Sequence, residues 1–146
     1  MINLLILCTG NSCRSQIAHG YFAHYTNPNL VTVYSAGIET HGVNPKAIAT
    51  MKEDGIDIST HTSNHVDEYR DIDFDFVITV CDNANEHCPI FISKAKKFHH
   101  NFPDPAKAIG SDEEVIEVFA KVRDQIKNYT LQFINKYLPQ ANHSNL

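Results

Sequence analysis

The stretch that most constrains this chain is Ile2–Leu7, a run of Ile and Leu with Asn3 as its one polar member, which leads directly into Cys8-Thr9-Gly10-Asn11-Ser12-Cys13. A short run of this composition suits a central strand buried on both faces, and such strands belong to parallel sheets covered by helices. The next six residues are turn formers. Beyond them Ile17, Ala18, Tyr21, Phe22 and Tyr25 recur at helical spacing and predict a helix over Arg14–Tyr25. A strand, a tight loop and a helix in direct succession point to an α/β fold.

The rest of the chain repeats the alternation. Leu30–Ala36 reads as a second strand stopped at Gly37, and Asn44-Pro45 opens a helix that Gly55 closes. His65–Tyr69 is expected as one helical turn, Phe74–Val80 as a strand ending at Cys81, and Ala95–His99 as a fourth strand. Ser111 followed by Glu114 makes a capping box, after which Val115, Phe119, Val122, Ile126, Tyr129, Phe133 and Tyr137 mark one face of a long helix stopped by Pro139. The polar tail Pro139–Leu146 is expected to fray, leaving one domain over residues 1–138. In sheets of this kind ligands bind beyond the carboxyl ends of the strands, where Cys8 and Cys81 both fall.

Composition narrows the function. The net charge of −5 argues against a nucleic-acid surface, so an anion would need a local site. The opening apolar run is too short to span a membrane and lacks a basic leader and a cleavage site, so a cytoplasmic location without membrane association is expected. In that reducing compartment the four cysteines read as reactive or metal-binding thiols and not as structural disulfides.

Cys8 and Arg14 are the strongest pair. Chance would place roughly 0.08 such Cys-x5-Arg pairs in a chain of this composition, so spacing alone says little and context carries the signal. A buried strand-end cysteine by itself is ordinary. Here, however, the loop holds Gly10 and Asn11, which tolerate positive φ and let successive N–H groups turn inward as a nest. The following helix adds its positive end, and Arg14 can fork two oxygens of a phosphate or arsenate. The same field favours the Cys8 thiolate, and the Ser15 hydroxyl is placed to bond that sulfur. Thr9, Gly10, Asn11, Ser12, Cys13 and Arg14 thus form the expected anion cradle, with Cys13 itself a small packing residue.

Cys8-Thr9-Gly10-Asn11-Ser12-Cys13-Arg14-Ser15 resembles the active-site loop shared by low-molecular-weight tyrosine phosphatases and the arsenate reductases built on the same fold. The likeness extends through Val80-Cys81, Asp104-Pro105 and the long last helix. It implies a three-layer α/β/α fold with a small four-stranded parallel sheet. Gln16 stands where the phosphatases usually carry proline, and Ala106 where they usually carry tyrosine. Cys81 and Cys88 match the redox pair of the thioredoxin-coupled reductases. The resemblance therefore implies arsenate reduction through Cys8, Cys81 and Cys88, with Asp104 as general acid and a thioredoxin-type donor. Glutaredoxin with glutathione is the other donor class. The alternative activity is phosphotyrosine hydrolysis through a Cys8 phospho-enzyme, and a third possibility is a non-catalytic oxyanion sensor. A monomer is expected.

Some of these reductases bind potassium beside the loop through Asn, Glu, Ser and Asp. Asn11 and Ser35 match, but His19 and Asn64 stand where the acids belong, so no potassium site is expected. Zinc at Cys81, Cys88 and nearby histidines fits poorly, because six residues separate the cysteines where zinc pairs have two to four. Seven positions apart in a helix, Cys81 and Cys88 would have Cα atoms roughly 10.5 Å apart, beyond the ~7 Å limit of a disulfide. The segment between them must therefore unwind for that bond to form.

Overall fold

The structure, a computed structural model, describes residues 1–143. Four parallel strands, β1 (Ile2–Cys8), β2 (Val31–Gly37), β3 (Phe76–Thr79) and β4 (Lys96–His99), lie in the order β2-β1-β3-β4. The helices are α1 (Arg14–Tyr25), α2 (Pro45–Glu53), α3 (Asp82–Glu86) and α4 (Asp112–Tyr137). Leu4–Leu7 have no exposed surface, as a central strand requires. Asn3, the polar exception, sits at the strand's start, where its side chain donates to Asp73 O and its amide to Asp75 Oδ2.

Strand periodicity sorts the two faces. Leu4 and Phe76 are register partners, as are Ile78 and Phe98. This face meets α1 and α4, where Phe133 packs edge-on against Phe22, Phe76 and Phe98. α2 joins the same layer by packing on α1 and α4. On the other face Tyr34 packs with Tyr69 and Phe74, and His99 reaches Asp82 at the head of α3. α3 and the 3-10 turn Val66–Tyr69 thus supply the third layer.

The local signals act as their chemistry predicts. Asn44 accepts from Lys46 N at the head of α2, and Ser111 and Glu114 form the reciprocal capping box of α4. Gly55 has φ +80° just beyond α2. The third strand is shorter than expected, because Phe74 leaves the ladder to pack on Tyr34 and Tyr69.

The C-terminal tail departs from expectation. Pro139–Ala141 form a 3-10 turn, Ala141 is buried, Asn27 N donates to Ala141 O (2.8 Å) and His143 N donates to Tyr25 O (2.7 Å). A polar composition suggests fraying, but backbone pairing to the end of α1 holds residues 139–143 in place. The remaining residues, 144–146, lie outside the described part. Among the described residues no helix is long and apolar enough to cross a membrane.

Candidate active site

β1 sends its chain to β2 on one side while β3 lies on the other, so the crevice beyond their carboxyl ends is the switch point where α/β sheets bind ligands. A cavity of about 250 Å³ opens there. Its wall carries Cys8, Thr9, Gly10, Ser12, Cys13 and Arg14 from the loop, His41 from the segment after β2, and Asp104, Ala106 and Lys107 from the segment before α4. A larger cavity, about 450 Å³ between α2 and α4, holds no cysteine and lies apart from these groups. We assign the chemistry to the smaller one because the nucleophile and the cations converge there.

The loop is built as a cradle, though partly for a different reason than its composition suggests. Asn11 takes the left-handed conformation (φ 48°), whereas Gly10 does not. Gly10 is required by crowding: a Cβ there would lie 2.3 Å from His41 Nδ1. Gly37 at the end of β2 is similar, since a Cβ would stand 2.7 Å from Thr9 O and 2.8 Å from Asn11 N. Arg14 donates to Phe102 O (3.0 Å) and approaches Asp104 Oδ2 (3.7 Å), which fixes its guanidinium at the cavity. Asp104 Oδ1 accepts from Ala106 N (3.0 Å), so the other carboxylate oxygen is the one turned to Arg14. Ser15 meets Cys8 through its amide, and its hydroxyl is engaged instead by Asn11 Nδ2 at 2.8 Å.

Because β3 lies beside β1, Cys81 is brought against Cys8. Both sulfurs are buried, and a side-chain hydrogen bond joins them. Cys8 is pushed well above the usual thiol range, first by that bond and then by burial, against the pull of Arg14 and the Ser15 amide. Cys81 is drawn down to about 5, first by the bond from Cys8 and, against burial, by Thr9, the Ala84 amide and Arg14. Thr9 Oγ1 lies 3.2 Å from Cys81 Sγ and accepts from Asn83 Nδ2 (3.1 Å), which leaves its own proton for the sulfur. Cys13 is pushed to about 11 mainly by burial, so it stays a thiol at neutral pH. Cys88 is half-buried beyond α3, its proton held by burial against the opposing pull of Lys97.

A phosphatase model settles the relationship. Residues 3–142 match the family described as low molecular weight phosphotyrosine protein phosphatase. The chain belongs to this family. Among curated members, it is 50% identical over 123 residues to an arsenate reductase of Halalkalibacterium halodurans, covering 84% of this chain and 88% of that protein. It is 46% identical over 130 residues to an arsenate reductase of Bacillus subtilis, covering 89% and 93% respectively. A solved arsenate reductase in its phosphate-binding state superposes with a TM-score of 0.77 at 35% identity, covering 93% of this chain and 98% of that one.

Behind the loop, Asn11 Oδ1 accepts from Asn64 N (2.9 Å), Ser35 Oγ is bonded to His19 Nδ1 (2.7 Å), and Asn64 Oδ1 accepts from Thr62 (2.7 Å). His19 is held neutral, its pKa lowered to about 3 first by burial and then by His61. His41 and Lys107 reach the cavity wall unforeseen. The signal for His41 is topological, since the loop after a strand adjacent to β1 must end at the same sheet edge.

Proposed function

We propose that this protein reduces arsenate to arsenite, using Cys8 as nucleophile and passing oxidation through Cys81 to Cys88. The observation that carries the reading is a second thiol, Cys81, hydrogen-bonded to the nucleophile Cys8 that lines the anion cavity, in a chain whose relatives include arsenate reductases. Phosphoester hydrolysis has no use for that second thiol.

Arsenate docks on the loop amides and Arg14, with His41 and Lys107 at the rim. The Cys8 sulfur bonds to arsenic as its proton passes to Cys81, and Asp104, as general acid, delivers a proton to the departing hydroxyl, which leaves as water. Cys81 loses its proton to solvent and attacks Cys8 Sγ. As the S–S bond forms, the S–As bond breaks, its electron pair goes to arsenic, and As(V) leaves as As(III). Cys88 then gives up its proton to solvent, and its sulfur attacks Cys81 Sγ and releases the Cys8 thiolate. A thioredoxin-type dithiol reduces the Cys81–Cys88 disulfide and returns the enzyme to its thiol state. The reaction runs in the cytoplasm, on a monomer, without a bound cofactor. Exchanging potassium for choline chloride at fixed ionic strength should leave phosphate affinity, measured by calorimetry, unchanged.

The deciding experiment is arsenate-dependent NADPH oxidation with thioredoxin and its reductase, run beside aryl phosphate hydrolysis. Turnover of arsenate with slow ester hydrolysis is expected. Rapid ester hydrolysis with no arsenate turnover would move the assignment to the phosphatase.

A further inference from the structure

A chain of buried and half-buried side chains lies behind the loop and outside the cavity wall. His19 Nδ1 is 2.7 Å from Ser35 Oγ on β2, and its ring packs at a tilt of 35° against His61 with centroids 4.4 Å apart. His61 Nδ1 is 3.0 Å from Gln16 Oε1. Gln16, with no exposed surface, turns its Nε2 to Asn11 O (3.1 Å) and Thr62 O (3.0 Å). Because Gln16 Oε1 can only accept, His61 must present its Nδ1 proton, and a flipped amide would set Oε1 against the carbonyls of Asn11 and Thr62. The orientation of Gln16 is thereby fixed, and with it the carbonyl of Asn11, the one residue of the loop at positive φ. Asn11 in turn donates to Ser15 Oγ (2.8 Å), and the Ser15 amide bonds Cys8.

We propose that Gln16, oriented by the packed pair His61 and His19, is a positioning residue for the anion loop: it holds Asn11 in its left-handed conformation and so keeps the amide donors aimed at Cys8 and its ligand. The proposal rests on the reading of this loop as an oxyanion site but not on the thiol relay. Left-handed backbone is disfavoured for a residue with a side chain, so this conformation needs support from outside the loop. Gln16 and Asn64 supply that support from two sides, through the carbonyl and the side-chain oxygen of Asn11.

The test uses the reduced full-length chain as wild type, Gln16→Met, His61→Phe and His61→Asn. Inorganic phosphate binding is measured by calorimetry, and Cys8 alkylation by iodoacetamide is followed against pH by peptide mass spectrometry, beside thermal melting. Gln16→Met and His61→Phe should each weaken phosphate binding about tenfold, the scale of one lost buried hydrogen bond, and displace the Cys8 alkylation profile. His61→Asn keeps a donor toward Gln16 and should recover most of both. Wild-type phosphate affinity and alkylation profile in Gln16→Met, with only melting lowered, overturn the proposal and make the residue a packing element. If Gln16→Met does not fold, His61→Phe decides by the same two readouts. Neither readout needs an electron donor, so failure here is distinct from failure of arsenate reduction.

Discussion

At the scale of single residues, the site is governed by which sulfur holds the proton. The largest influence raising the proton affinity of Cys8 is its bond to Cys81. Cys81→Ser should therefore lower the pH midpoint of Cys8 alkylation, stop multiple turnover with arsenate, and leave any aryl phosphate hydrolysis within about threefold of wild type, because Arg14, Asp104 and the loop are untouched. Continued thioredoxin-dependent turnover in that variant would end the relay mechanism. The residues that meet in the cavity were legible to different degrees. Cys8 and Arg14 carry a spaced motif, and Asp104 lies between two prolines, so each has a local signature. Gln16, His19 and His61 have none. They are polar residues wholly or partly covered by packing, and a sequence records burial only through periodicity, which a polar side chain does not mark. Gly10 was legible as necessary, yet its reason is the His41 ring above it and not backbone conformation.

At the scale of elements, α3 is the piece that must change. It is five residues long, with Ala84 its one buried member. Its head is tied down by Asp82 N to Asn101 Oδ1 (3.1 Å), Asp82 to His99 (2.7 Å) and Asn83 to Thr9 (3.1 Å). Beyond it Pro89 precedes Ile90, which is 88% exposed. An element with so little burial opens at low free energy. Oxidation to the Cys81–Cys88 disulfide should then speed amide hydrogen exchange across residues 82–88 by at least tenfold while α1 and α4 keep their protection. Equal protection in both redox states would mean that the pair closes without unwinding, against the geometry of a helix. The need for unwinding could be read from the seven-residue spacing alone. The bonds that hold the reduced form could not, because His99 and Asn101 arrive from the end of β4 and Thr9 from the end of β1. Long elements with caps, such as α4, were readable nearly to the residue, whereas β3 and the C-terminal tail depended on packing partners distant in the chain.

At the scale of the whole molecule, buried neutral imidazoles tie the stability of the fold to pH. In the folded chain His19 resists protonation until about pH 3, and His61 is also shifted down by burial. In the unfolded chain both bind a proton near pH 6.5. Between those limits the unfolded state binds more protons, so stability is greatest above pH 6.5 and falls on acidification by up to about 1.4 kcal/mol per pH unit for each group fully in its window. Asp54, whose folded pKa is lowered by Lys127 and Tyr21 against burial, contributes a loss of the same sign that begins only below the ordinary carboxylate range near pH 4. The depressed Cys81 thiol adds slope between its ordinary range near pH 8.5 and about 5. The histidine part is therefore isolated as a difference. Melting temperature measured from pH 7 to 4.5 should fall more steeply in wild type than in His19→Gln, which keeps a polar partner for Ser35 but cannot take a proton. Parallel curves for the two proteins would show that His19 is charged in the folded state or exposed to water, and the layer behind the anion loop would then have to be redrawn around a cation.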